Sequence, residues 1–225
     1  MSFNFQDKYD VVVFYNKVQF SRKNTIKSNF RIKLDEQDLN NGAMINFPFE
    51  SYYNSFKSPA NELYLSAQFE RAGVIPYTVI NGEKHFCLAI DSTYGNLTDF
   101  GGCVKKYELF TRAASRELYE ESLGVFDYAS KNLYDYSTAV YDKSSIILFL
   151  RLDIQNVDIS VKEFYRRLKV VNKSESSGIM WIPENILYML IKTGKAYYIN
   201  NCIYPSIYKP VCDLLRSICG LNEII

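Results

Sequence analysis

The 225 residues are 48% hydrophobic and 23% charged, and 26 Lys and Arg against 25 Asp and Glu leave a formal net charge of +1. That is apolar content enough for one domain of ordinary size plus an extension, without the large basic excess of a dedicated nucleic-acid binder. No apolar run reaches transmembrane length and residues 1–10 are polar and mixed, so the expectation is a soluble cytoplasmic protein with no membrane partner.

Along the chain, Val11 to Tyr15 and Val18 to Phe20 read as a hairpin across Asn16-Lys17, and Phe30 to Leu34 alternates like a half-buried strand. Phe47, Phe49, Tyr52, Tyr53 and Phe56 form an aromatic-dense segment that could stack on a base, although such clusters more often fill cores or interfaces. Val74 to Ile80, Asn81-Gly82 and His85 to Ile90 are two apolar runs around an Asn-Gly turn, a strong hairpin signal, with Pro76 predicting an edge or a strand start. Leu97 to Phe100 leads into a Gly-Gly turn at Gly101 and Gly102. Ile146 to Leu152 suits a buried strand, and Ile179 to Pro183 followed by Asn185 to Lys192 reads as strand then helix.

Chemistry is concentrated between Gly102 and Val125, in GCVKKYELFTRAASRELYEESLGV. With Ala113 to Ser122 helical, Glu117, Glu120 and Glu121 project from one stripe, beside an apolar face of Ala113, Ala114 and Leu118. Three like charges on one stripe repel, and a divalent ion relieves the repulsion. Oxygen-only ligands select hard cations, and Mg²⁺ keeps positions for water and phosphate oxygens. Arg116 can bridge Glu108 to the helix or reach a phosphate directly. Taken alone, such a stripe is more often plain solvated surface than a ligand set.

At these positions the stretch resembles the signature of the Nudix hydrolases, G-x5-E-x7-R-E-U-x-E-E-x-G-U with U aliphatic. Gly102, Glu108, Arg116, Glu117, Leu118, Glu120 and Glu121 stand at its spacing. The departure comes after the last glutamate, where Ser122 and Leu123 both precede Gly124; the extra residue is expected to lengthen the helix end. The resemblance covers residues 70 to 192. It implies an α/β (α+β) fold, a Nudix-type α/β/α sandwich with a mixed sheet over residues 70–225 with a C-terminal helix. Residues 1–69 are then a β-rich N-terminal extension that packs on the core, shapes the pocket or makes a homodimer contact.

The resemblance further implies a pyrophosphohydrolase, with Mg²⁺, or Mn²⁺ in its place, held by Glu117, Glu120 and Glu121. Catalytic roles fall to Glu117, Glu121 and Arg116, with Glu175 the candidate base from outside the box, though as a loop charge it has a bland explanation too. Gly101, Gly102 and Arg116 would meet substrate, and Glu108 and Gly124 would be structural. The expected reaction is Mg-dependent hydrolysis of the pyrophosphate bond in a nucleoside diphosphate linked to another moiety. Alternatives are an RNA 5′ cap or an inositol pyrophosphate as substrate, and a non-catalytic binding or regulatory role.

The remaining residues add little. His85 is the single histidine, so no Ser-His or Cys-His triad has a second imidazole to use. Cys87, Cys103, Cys202, Cys212 and Cys219 form no C-x-x-C pair and most read as small core residues, with Cys212 and Cys219 in a C-terminal helix. Two basic clusters, Arg22, Lys23, Lys27, Arg31 and Lys33, then Lys162, Arg166, Arg167, Lys169 and Lys173, could receive phosphates of a substrate or of RNA. The Glu163 to Arg167 spacing favours a solvated, salt-bridged helix face for the second.

Overall fold

Before residue 69 the computed structural model describes four short strands as backbone: β1 (Asp10–Val12), β2 (Thr25–Ile26), β3 (Arg31–Lys33) and β4 (Ala43–Asn46). Beyond these, the structure describes residues 69–131, 138–141, 144–199 and 201–216. β1 and β2 both pair antiparallel with β3, while β4 pairs with a strand of the large sheet. The turn at residues 16–17, the strand at 18–20, the aromatic segment 47–56 and Cys219 lie outside the described residues.

The hairpin around Asn81-Gly82 is present as β5 (Arg71–Ile80) and β6 (Glu83–Asp91). Asn81 and Gly82 have φ of 52° and 82°, the left-handed pair that a two-residue hairpin turn requires. β7 (Leu97–Thr98) pairs with β6, and β8 (Phe100–Cys103) pairs with β5. Helix α1 (Phe110–Glu121) and the short α2 (Asp127–Lys131) follow, then β9 (Thr138–Tyr141) and β10 (Ser145–Arg151). After α3 (Val157–Leu168) come β11 (Ser176–Pro183), α4 (Glu184–Thr193), the hairpin β12 (Tyr197–Ile199) with β13 (Cys202–Tyr204), and α5 (Lys209–Arg216).

The large sheet runs β11-β6-β5-β10-β9-β4, and it is mixed because β10 pairs parallel with β5 while its other pairs are antiparallel. Alternation along each strand divides the side chains between two cores. Val74, Cys87, Ala89, Leu148 and Leu150 face one side, where they meet Phe110, Ala114 and Leu118 of α1 and Phe164 of α3. Ile75, Phe86, Leu88, Ile147 and Phe149 face the other, against Leu187, Leu190 and Ile191 of α4 and Leu215 of α5. Helices thus cover both faces of a mixed sheet, the α/β/α layering expected from the sequence. No helix of the described residues is long and apolar enough to cross a membrane.

Three local expectations need correction. Pro76 lies in an interior strand: β5 pairs with β8 up to Val74 and with β6 only from Tyr77, so the proline occupies the gap between the two pairings, where no antiparallel partner needs its missing N–H. Gly101 and Gly102 form no turn but extend β8 opposite Gly73 and Ala72. The residue inserted before Gly124 does not lengthen α1, which ends at Glu121; Leu123 and Gly124 take φ of 55° and 73° and reverse the chain, the Gly124 N–H donating to Tyr119 O at 2.7 Å. Leu123 is held in this left-handed conformation because its side chain packs on the α1 core and its carbonyl accepts from Arg167 Nη1 at 2.9 Å.

Candidate active site

Helix α1 presents its carboxylates because its opposite face is anchored. Phe110, Ala113, Ala114 and Leu118 are fully buried, at the i, i+3, i+4, i+8 spacing of one helical stripe. Truncating Leu118 to Ala would cost about 2–5 kcal/mol and loosen the platform. The neighbouring stripe carries Glu117, which is buried, Glu120, which is exposed, and Glu121, which is partly buried.

Arg116 organises this stripe from the side. Its Nε and Nη2 donate to the two oxygens of Glu108, each at 3.1 Å, and Nη2 also reaches Cys103 O at 3.0 Å. Nη1 donates to Glu117 Oε1 at 2.5 Å and to Glu120 Oε2 at 3.4 Å. These contacts engage every nitrogen of the guanidinium, so Arg116 here braces carboxylates. Its hydrogen bonds hold the Glu108 carboxyl below its usual range.

Glu121 is turned the other way. Its Oε2 accepts from the Gly101 N–H at 3.1 Å, and burial, followed by the nearby charges of Asp99 and Glu117, pushes its carboxyl up to about 9. Burial also raises Glu117, against the pull of Arg116, with Glu120 and Glu175 adding to the rise. Both shifts mark concentrated, desolvated negative charge, the condition that a bound cation relieves.

Glu117, Glu120, Glu121 and Arg116 line one cleft of about 470 Å³ together with Gly102, Cys103, Leu123, Lys173, Ser174 and Glu175. Glu175 comes from the loop ahead of β11, so a residue 54 positions beyond Glu121 in the chain shares the cleft with the helix carboxylates. Gly102 lies under Glu117: a Cβ there would stand 2.5 Å from Glu117 Oε1. Gly101 is not among the lining residues and stands behind Glu121 instead. Gly124 packs under Arg167 and Tyr119 at the end of α1.

The donor set fits a hard divalent cation, being carboxylate oxygens grouped beside a glycine whose missing side chain leaves space for one of them. The carboxylates are not gathered into a coordination sphere: among the described residues no three His, Cys, Asp or Glu side chains are placed to enclose a metal ion. Glu117 Oε1 is turned to Arg116, while Glu121 accepts from the Gly101 N–H through Oε2 alone and still lines the cleft.

Sequence reasoning missed Arg71 and Asp99. Arg71 Nη1 and Nη2 donate to the two oxygens of the wholly buried Asp99 at 2.8 and 2.5 Å, and Nη2 also donates to Gly101 O at 3.1 Å. The signal available was glycine inside strands, at Gly73, Gly101 and Gly102, where its presence marks a close approach.

The other residues singled out from sequence have structural places. Glu163 accepts from Arg166 and Arg167 at 2.6–2.7 Å, the salt-bridged face expected for α3. Cys87 and Cys212 are buried, whereas Cys103 is exposed at the cleft. His85 stands beside the hairpin turn with Nδ1 3.2 Å from Glu83 O.

No protein-family model matches the sequence, and no curated protein matches it. Among solved structures, the chain is similar to an Ap4A hydrolase from C. elegans, at 18% identity and a TM-score of 0.35, over 65% of this chain and 92% of that one. It is similar to a mutT/nudix family protein from Listeria innocua at 15% identity and a TM-score of 0.35, over 68% and 93%. The Nudix domain of Shewanella oneidensis NrtR, complexed with ADP ribose, is a third, at 14% identity and a TM-score of 0.35, over 63% and 87%. The proteins to which this chain is similar in fold include Nudix proteins.

Proposed function

We propose that this chain is a Nudix pyrophosphohydrolase that uses Mg²⁺, or Mn²⁺ in its place, to cleave the diphosphate bridge of a nucleoside diphosphate linked to another moiety. The observation that carries the reading is the shared cleft of Glu117, Glu120, Glu121 and Glu175, with Arg116 and Glu108 bracing it at signature spacing. When bound, the divalent ion would neutralise phosphate charge and lower the pKa of a coordinated water. Glu117, Glu120 and Glu121 would be its ligands.

The chain's own residues supply the rest. Arg116 and Glu108 tie α1 to the loop before it and to β8, so that the acidic stripe keeps its place over the cleft. Gly102 lets β8 pass close beneath Glu117. Glu175, across the cleft, is the residue outside the signature able to accept the proton of the attacking water; Glu117 and Glu121 are the alternatives within it.

The charge of the cleft favours a small substrate. Its described lining carries four carboxylates against Arg116, whose donors are engaged, and Lys173. A cap-bearing RNA or an inositol pyrophosphate, held by many phosphate contacts, calls for a broader basic lining.

The test is hydrolysis of a panel of nucleotide sugars, dinucleoside polyphosphates, ADP-ribose, capped RNA and inositol pyrophosphates with Mg²⁺ supplied. Cleavage of a small nucleotide by the wild type, lost in Glu120→Gln and Glu121→Gln variants that remain folded, is expected. Full turnover in both variants would refute the assigned site.

A further inference from the structure

Gly73 and Gly101 face each other on β5 and β8, and together they clear a slot within the sheet. A Cβ on Gly73 would stand 1.9 Å from Asp99 Oδ2; one on Gly101 would stand 2.8 Å from the same oxygen and 2.9 Å from Arg71 Nη2. Into this slot fit the Asp99 carboxylate, fully buried, and the Arg71 guanidinium, joined by two hydrogen bonds. Thr98 Oγ1 donates to Asp99 Oδ1 at 3.1 Å and adds a third support.

The pair ends at Gly101. Arg71 Nη2 holds the Gly101 carbonyl at 3.1 Å, and the N–H of the same residue is the donor that holds Glu121 Oε2, also at 3.1 Å. Two side chains therefore grip the two polar groups of one glycine, Arg71 its carbonyl and Glu121 its N–H. A planar fork fixed by a buried carboxylate has little freedom, so the Gly101 main chain, and through it the Glu121 carboxylate, is set by the pair.

We propose that Arg71 and Asp99 are positioning residues for Glu121, acting through the Gly101 main chain to aim its carboxylate into the cleft. This rests on the reading of Glu121 as a metal ligand. Neither residue touches substrate, and neither belongs to the sequence signature. A buried ion pair offers weak stabilisation relative to an apolar replacement, which leaves the aiming of Glu121 as the work that these two charges do.

The test compares wild type, Arg71→Lys, the doubly neutral Arg71→Gln/Asp99→Asn, and Asp213→Asn as a control on α5, on the other face of the sheet, where Asp213 pairs with Lys209. The double variant keeps the test open if the weaker, single-point pairing that lysine gives the buried Asp99 prevents Arg71→Lys from folding. Mg²⁺ is titrated against the thermal unfolding midpoint, and Mn²⁺ binding is followed by electron paramagnetic resonance. In the positioning variants the metal concentration for half-maximal response should rise about tenfold or more, as is usual when a partner behind a ligand is lost. Turnover at fixed metal should fall and recover with added metal, while KM for the substrate stays near the wild-type value. Asp213→Asn should match wild type. Variants that bind metal at wild-type concentrations would overturn the proposal. A wild type that shows no metal response would instead remove the functional reading itself, and the proposal with it; the two failures are distinguishable because the second appears in the wild type alone.

Discussion

Glu108 and Arg116 meet through two parallel hydrogen bonds, Nε to Oε1 and Nη2 to Oε2, both at 3.1 Å, across the junction between a loop and the helix that carries the acidic stripe. Lysine at position 116 keeps the charge but cannot form the fork or reach Cys103 O, Glu117 and Glu120 together. Arg116→Lys should reduce turnover about 10–100-fold, as for the loss of a group that orients ligands. The stability cost should stay near about 1 kcal/mol, because both side chains keep some solvent contact. Steady-state kinetics beside urea denaturation checks this, and a variant that loses stability but keeps its turnover would contradict it.

Gly102→Ala tests the space beneath Glu117. The added methyl would lie 2.5 Å from Glu117 Oε1, so either the carboxylate or β8 must shift. Overpacking of this kind costs about 1–3 kcal/mol, but the larger effect should be on turnover, since the group displaced is a proposed ligand. Activity within twofold of wild type, measured at saturating Mg²⁺, would show that Glu117 need not hold its place.

The acidic stripe was legible because helical spacing alone puts Glu117, Glu120 and Glu121 on one side, and the hairpin because Asn81-Gly82 between apolar runs has few other solutions. Arg71 and Asp99 were not legible. They are 28 residues apart, Arg71 on β5 and Asp99 between β7 and β8, and they meet only because β8 folds back along β5 at glycines that permit the approach. Glu175 was legible as a candidate base only through the family resemblance, beside a bland reading as a loop charge, because its place in the cleft depends on how β11 follows α3. The extra residue before Gly124 misled for a similar reason. A leucine rarely takes positive φ, so the sequence favours a longer helix, and only the packing of Leu123 and the Arg167 contact to its carbonyl make the tight reversal stable.

The pH dependence of the metal-free protein carries a definite sign. Glu121 titrates at about 9 when folded against an ordinary 4.5, so within that window the folded state binds more protons than the unfolded chain, and stability falls as pH rises. Glu121→Gln has no such proton to lose and should flatten the slope. Urea midpoints across this range in the presence of a chelator measure it; parallel profiles for wild type and variant would contradict the burial assigned to Glu121.

The most direct measurement is a crystal structure grown with Mn²⁺, with the ion located by its anomalous scattering. A peak is expected in the cleft, ligated by Glu117, Glu120 and Glu121, with Glu117 released from Arg116. An ion-free cleft in which Glu117 keeps its contact to Arg116, at Mn²⁺ concentrations that saturate catalysis, would contradict it.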